Sequence, residues 1–126
     1  MDEHNGHLVS VVDDDASLRR SVRNLLTSMG FRVETFVSAE AFLESVHRDK
    51  TGCLVLDLRM EGMDGLELLR HLTVAGTPIP TVILTAHGDG ELRDRALQGG
   101  AVAFLAKPFH ADVLLDAVKT AMGRER

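Results

Sequence analysis

The sequence predicts an α/β fold, a doubly wound sheet of five parallel strands, and three observations carry that prediction. Short apolar runs alternate strictly with longer amphipathic stretches. The segments joining them are short. The run Cys53–Leu56 is wholly apolar, as in a strand covered on both faces. Alternation with short crossovers specifies a parallel sheet with helices on both sides.

The 126 residues suit one domain, expected to fill residues 1–126 with an ordered core over about 7–122. That length buries a core without disulfides or structural metal. Hydrophobic residues at 44% and charged residues at 26% indicate a globular chain. A formal net charge of -5 argues against direct binding of nucleic acid, which needs a basic patch. Cys53 is the one cysteine, so no internal disulfide forms, and it reads as a small buried hydrophobe in a reducing compartment. Met1 to His7 lack the apolar core of a signal peptide, and no apolar run approaches the ~20 residues that span a bilayer. A cytoplasmic protein with no membrane contact is expected.

The elements follow in order. Leu8–Val12 is the first strand and ends in acids. From Asp15, which can cap the first helix, Leu18, Val22, Leu25, Leu26 and Met29 recur at helical spacing, and Gly30 stops the helix. Phe31–Phe36 alternates like a half-exposed second strand. Ser38 can cap a second helix with Ala39, Phe42, Leu43 and Val46 on its inner face. After the third strand, Asp64 and Glu67 have the spacing of a capping box, and Leu66, Leu69 and Leu72 line the third helix. Thr81–Leu84, preceded by Pro78 and Pro80, is the fourth strand. Gly88–Gln98 is a more polar helix closed by Gly99 and Gly100. Ala101–Ala106 is the fifth strand, and Asp112–Met122 is the last helix, with Leu114, Leu115, Val118 and Met122 facing inward. Gly123–Arg126 is a polar tail compatible with the start of a linker.

In an open parallel sheet, ligands bind beyond the carboxyl ends of the strands, so those ends carry the functional argument. The first strand ends in Asp13, Asp14 and Asp15, the third in Asp57, the fourth in Thr85 and Ala86, and the fifth in Lys107 and Pro108. In the flavodoxin-like order 2-1-3-4-5 these four strands are central or adjacent. Crowded carboxylates repel one another unless a cation joins them. A hard divalent ion suits oxygen ligands, and Mg²⁺ suits a few carboxylates with phosphate oxygens and waters. A carboxylate nucleophile, a metal, a lysine and a hydroxyl together describe phosphoryl transfer to an aspartate.

The residues then resemble a known family along essentially the whole chain. Val11-Val12-Asp13-Asp14-Asp15, Val55-Leu56-Asp57-Leu58-Arg59-Met60 with Met63-Asp64-Gly65, Leu84-Thr85-Ala86-His87-Gly88-Asp89 and Ala106-Lys107-Pro108-Phe109 are similar to the motifs of receiver domains in two-component response regulators. The wording around Asp57 and Thr85 is most similar to FixJ-like receivers, which precede a LuxR-type helix-turn-helix domain. The resemblance implies that Asp57 accepts the phosphoryl group from a histidine kinase. It implies Mg²⁺, with Mn²⁺ able to substitute, held by Asp14, Asp57 and the backbone carbonyl of Arg59, with Asp13 acting through water. Lys107 would contact the phosphoryl group, Thr85 would move toward it, and Phe104 would be the switch aromatic. His87, Arg59 and Glu61 would modulate the site, His87 through water access to the acyl phosphate. The face of helix four, strand five and helix five would change shape, pair with a second copy, or release an output domain. A cis Lys107–Pro108 bond is also implied.

One position departs from the family pattern. A proline usually follows the methionine of the strand-three loop, and here Glu61 stands in its place. A fixed backbone angle is lost and a negative charge is added, so looser loop order or weaker metal affinity is expected.

Two other readings stay open at this stage. Asp13-x-Asp15 after a first strand also opens aspartate-nucleophile phosphatases, with Asp13 attacking, although that leaves Asp57 without a role. A receiver-shaped interaction module that is never phosphorylated is the second, against which the intact acids and Lys107 argue.

Overall fold

A computed structural model describes residues 8–86 and 90–123. The strands are β1 (Leu8–Val12), β2 (Arg32–Phe36), β3 (Thr51–Leu56), β4 (Thr81–Thr85) and β5 (Ala101–Ala106). The helices are α1 (Ala16–Ser28), α2 (Ala39–Leu43), α3 (Gly65–Val74), α4 (Gly90–Gln98) and α5 (Ala111–Gly123), with a single 3₁₀ turn at Arg48–Lys50. The strands pair in parallel in the order β2-β1-β3-β4-β5, as the alternation predicts.

Side-chain alternation along the strands splits the apolar interior into two layers. Val12, Leu54, Leu56 and Ile83 point toward α2, α3 and α4, where they meet Phe42, Leu68, Leu72 and Ala96. Val9, Val11, Cys53, Val55, Val82 and Leu84 point the other way, onto Val22 and Leu26 of α1 and Leu114, Val118 and Ala121 of α5. The wholly apolar β3 run is thus explained, because both of its faces are covered. Two buried hydroxyls in the sheet, Ser10 and Thr51, satisfy each other at 2.8 Å.

The helix starts follow their sequence signals. The Asp15 carboxylate accepts from the amides of Ser17 (2.9 Å) and Leu18 (3.2 Å). The capping box forms fully: Asp64 accepts from the Glu67 amide at 2.9 Å, and Glu67 accepts from the Asp64 amide at 2.8 Å. Ser38 caps α2 through the Ala41 amide at 3.0 Å. Each such cap contributes about 1 kcal/mol.

One inner face differs from expectation, and two others gain a residue. α2 ends at Leu43, and Val46 is 86% exposed instead of facing inward. The guanidinium of Arg48 takes the Leu43 carbonyl at 2.9 Å, and His47 Nδ1 pairs with Glu34 Oε2 at 2.6 Å on the β2 edge. Together they draw the chain off the helix. In α3, Leu68 is buried with Leu69 and Leu72, while Leu66 packs at the margin. In α5 the buried set is Leu114, Val118 and Ala121, with Leu115 and Met122 beside it.

Candidate functional site

The carboxyl rim is assembled by hydrogen bonds that carry the strand ladders one residue further. The amide of Asp57 donates to the Val12 carbonyl at 3.1 Å, that of Asp13 to the Phe36 carbonyl at 3.2 Å, and that of Lys107 to the Thr85 carbonyl at 2.9 Å. These bonds fix where the acids and the lysine leave the sheet. Asp13 and Asp57 are buried, at 2% and 6% exposure, whereas Asp14 is exposed at the mouth.

Lys107 joins residues far apart in the chain. Its Nζ donates to Asp13 Oδ2 at 2.9 Å and to Asp57 Oδ2 at 3.2 Å. The other oxygens are also engaged: Asp13 Oδ1 accepts from the Asp15 amide at 2.9 Å, and Asp57 Oδ1 from the Arg59 amide at 3.3 Å. Carboxylate oxygens of Asp13, Asp14 and Asp57 lie within 4.8 Å of one another, so the three acids could hold a metal ion. An all-oxygen set of this kind fits a hard divalent cation.

The electrostatics follow from burial and pairing. Burial raises the Asp13 carboxyl above its ordinary value, and the hydrogen bonds from Lys107 and the Asp15 amide offset only part of that. Burial alone would lower the Lys107 ammonium, but the Asp13 and Asp57 carboxylates reverse this and hold it above its ordinary value. A carboxyl raised on folding lends stability at acid pH that is lost as pH rises through its folded value. Asp13→Asn is therefore expected to raise the urea midpoint at pH 7 without divalent ions, the gain vanishing below the carboxylate range. Equal midpoints at pH 7 would refute this.

The remaining rim residues are placed as follows. Thr85 ends β4 fully buried. Phe104 is half-buried and packs with Leu92 against the layer under α2, α3 and α4. Arg59 and Glu61 are exposed and, with Asp14, Leu92 and Arg95, line an open depression of about 550 Å³. The Lys107–Pro108 bond is cis, as the resemblance implies. His87 lies outside the described residues.

Two contributors escaped the sequence reading. Arg19 Nη1 donates to the Asp13 carbonyl at 2.7 Å and so braces the β1–α1 loop from α1. Gly65, named from the sequence only as part of the Met63-Asp64-Gly65 motif, abuts the backbone at the end of β3. A Cβ at Gly65 would lie 2.5 Å from the Asp57 carbonyl oxygen. Its place after the Asp64 cap was the available signal, since a helix that starts so near a strand end needs a small first residue.

A 2-1-3-4-5 parallel sheet with an acidic rim and a lysine from the last strand defines a receiver-type signalling domain. A family model described as response regulator receiver domain matches residues 9–119, and the chain belongs to that family, as the receiver domain of a FixJ-like two-component response regulator. It is 47% identical over 119 residues to Nodulation protein W of Bradyrhizobium diazoefficiens, covering 94% of this chain and 52% of that protein. It is 44% identical over 117 residues to Transcriptional regulatory protein FixJ of the same organism, covering 93% of this chain and 57% of that protein. The chain thus spans about half the length of these curated relatives. The solved structure of FIXJ-N matches with a TM-score of 0.86 at 40% identity, covering 98% of this chain and 96% of that one. That of response regulator StyR matches with a TM-score of 0.86 at 50% identity, covering 94% of this chain and 60% of that one. No helix among the described residues is long and apolar enough to cross a membrane.

Proposed function

We propose that Asp57 is the phosphoacceptor of this receiver domain. The observation that carries the proposal is the Lys107 ammonium bridging Asp57 and Asp13, with Asp14 beside them. Asp14, Asp57 and the Arg59 carbonyl would hold Mg²⁺, or Mn²⁺ in its place, with Asp13 acting through water; the ion would neutralise charge on the transferring phosphoryl group.

A carboxylate oxygen of Asp57 attacks phosphorus in line, and the donor's bond to phosphorus breaks with its electron pair leaving on the donor. The donor is the phosphohistidine of a histidine kinase, or a small acyl phosphate. The new charge draws on Lys107, whose ammonium already sits between the two buried acids. Thr85 moves to the phosphoryl oxygens and Phe104 turns inward, shifting the population toward a second arrangement of α4, β5 and α5. That face then pairs with a second copy or acts on a C-terminal output domain that regulates transcription, in keeping with the greater length of the curated relatives. Arg59 and His87 govern water access, and so the lifetime of the acyl phosphate. The work is cytoplasmic, where histidine kinases present their phosphoryl groups.

The phosphatase reading has less support, because it leaves Asp57, which Lys107 contacts together with Asp13, without a role. Acetyl phosphate with Mg²⁺, followed by peptide mass spectrometry, tests the choice. The phosphoryl group is expected on Asp57; on Asp13 it would support the phosphatase, and no gain in mass would support an interaction module. Phosphorylation is further expected to raise the sedimentation coefficient through the α4, β5 and α5 face, and an unchanged value would remove that part of the proposal.

A further inference from the structure

The loop after Asp57 has a fastening that comes from outside the rim. Glu40 stands in the first turn of α2, and its Oε2 accepts a hydrogen bond from the Met63 amide at 2.9 Å, across 23 residues. Met63 directly precedes Asp64, the cap of α3. At the loop's other closure the Gly65 amide donates to the Leu58 carbonyl at 2.9 Å. Between these two bonds lie Arg59, Met60, Glu61 and Gly62.

Gly62 makes the approach to Glu40 close. Its φ is +76°, a conformation that L side chains rarely adopt, and a Cβ there would lie 2.6 Å from Glu40 Oε2. The loop therefore lays bare backbone against the carboxylate. The Met63 amide in turn holds the Glu40 carboxyl below its ordinary range. An exposed glutamate on a helix ordinarily stays solvated and loses side-chain freedom when it is held in one place. Here it is held against a segment that has glycine at 62 and no proline at 61, so the loop's own backbone supplies little rigidity.

We infer that Glu40 is a positioning residue for the acceptor loop: it fastens from α2 the segment that presents the Arg59 carbonyl and Glu61 at the rim. The inference rests on the metal reading of that rim. It assigns to a side chain of α2 the rigidity that a fixed backbone angle at position 61 would otherwise provide.

The test uses the chain in four forms: unsubstituted, Glu40→Ala, Glu40→Gln, and Glu40→Ala combined with Glu61→Pro. Mg²⁺ is titrated calorimetrically, and amide exchange at Met63 is followed without metal. Glu40→Ala is expected to weaken Mg²⁺ binding about threefold, below the ten- to hundredfold loss that hydrogen-bonded outer partners of a metal ligand can cause, because the contact is exposed. The Met63 amide should exchange faster, while the urea midpoint barely moves. Glu40→Gln keeps an oxygen acceptor and should restore both readouts, and Glu61→Pro should recover Mg²⁺ binding in the double variant. Unsubstituted affinity in Glu40→Ala, or equal behaviour of the Ala and Gln variants, would overturn the tether alone. An unsubstituted chain that takes up no Mg²⁺ would overturn the metal reading with it.

Discussion

Asp57→Asn is expected to gain no mass from acetyl phosphate and Mg²⁺ under conditions in which the unsubstituted chain gains one phosphoryl group. The amide keeps the size of the carboxyl but lacks its charge and its nucleophilic oxygen, so loss of labelling should be complete. The fold should survive. Lys107 keeps its 2.9 Å bond to Asp13, and one of two buried acids around that ammonium is removed, which relieves repulsion between them. Intact mass and circular dichroism, measured together, check both halves. Labelling of the variant at the unsubstituted rate would displace Asp57 from the role given to it, however well the rest of the site is formed.

Gly65→Ala is expected to cost about 3 kcal/mol of unfolding free energy, toward the upper end for overpacking, because the obstructing atoms are backbone. The added Cβ would meet the Asp57 carbonyl oxygen at 2.5 Å and the Leu58 Cα at 2.9 Å. Neither is the far end of a flexible side chain, so α3 or the end of β3 must shift. The Gly65 amide bond to Leu58 lies in the same contact. A shift there also displaces the segment that carries Asp57 and Arg59, so labelling should slow as well. Urea unfolding and the labelling time course are the measurements. A change in stability below about 1 kcal/mol, within the ordinary range of a single substitution, would show that the helix start yields freely.

Much of this arrangement was legible in the sequence, for reasons that particular residues make plain. The rim acids and Lys107 stand at strand ends, and topology alone converts strand ends into neighbours. Lys107 meets Asp13 across 94 positions because parallel β5 and β1 both end at the carboxyl rim of the sheet. The caps at Asp15, Ser38 and Asp64 were legible because a cap is local. Glu40 and Arg19 were not, because each acts through a backbone group of a loop whose path no side-chain pattern encodes. Val46 failed for a related reason. Apolar spacing continued α2 past Leu43, but Arg48 and the His47–Glu34 pair, all polar, set where the helix ends.

The division of the apolar interior by the sheet has a dynamic consequence. Phe104 and Leu92 belong to one side of the slab, while α1 and α5 are anchored on the other by Val22, Leu26, Leu114 and Val118. Within α4 only Ala96 is buried among the described residues, so that helix can be re-seated at little loss of apolar burial. On the proposed function, a message written at the rim would re-seat α4 first, and the molecule need not loosen as a whole to deliver it.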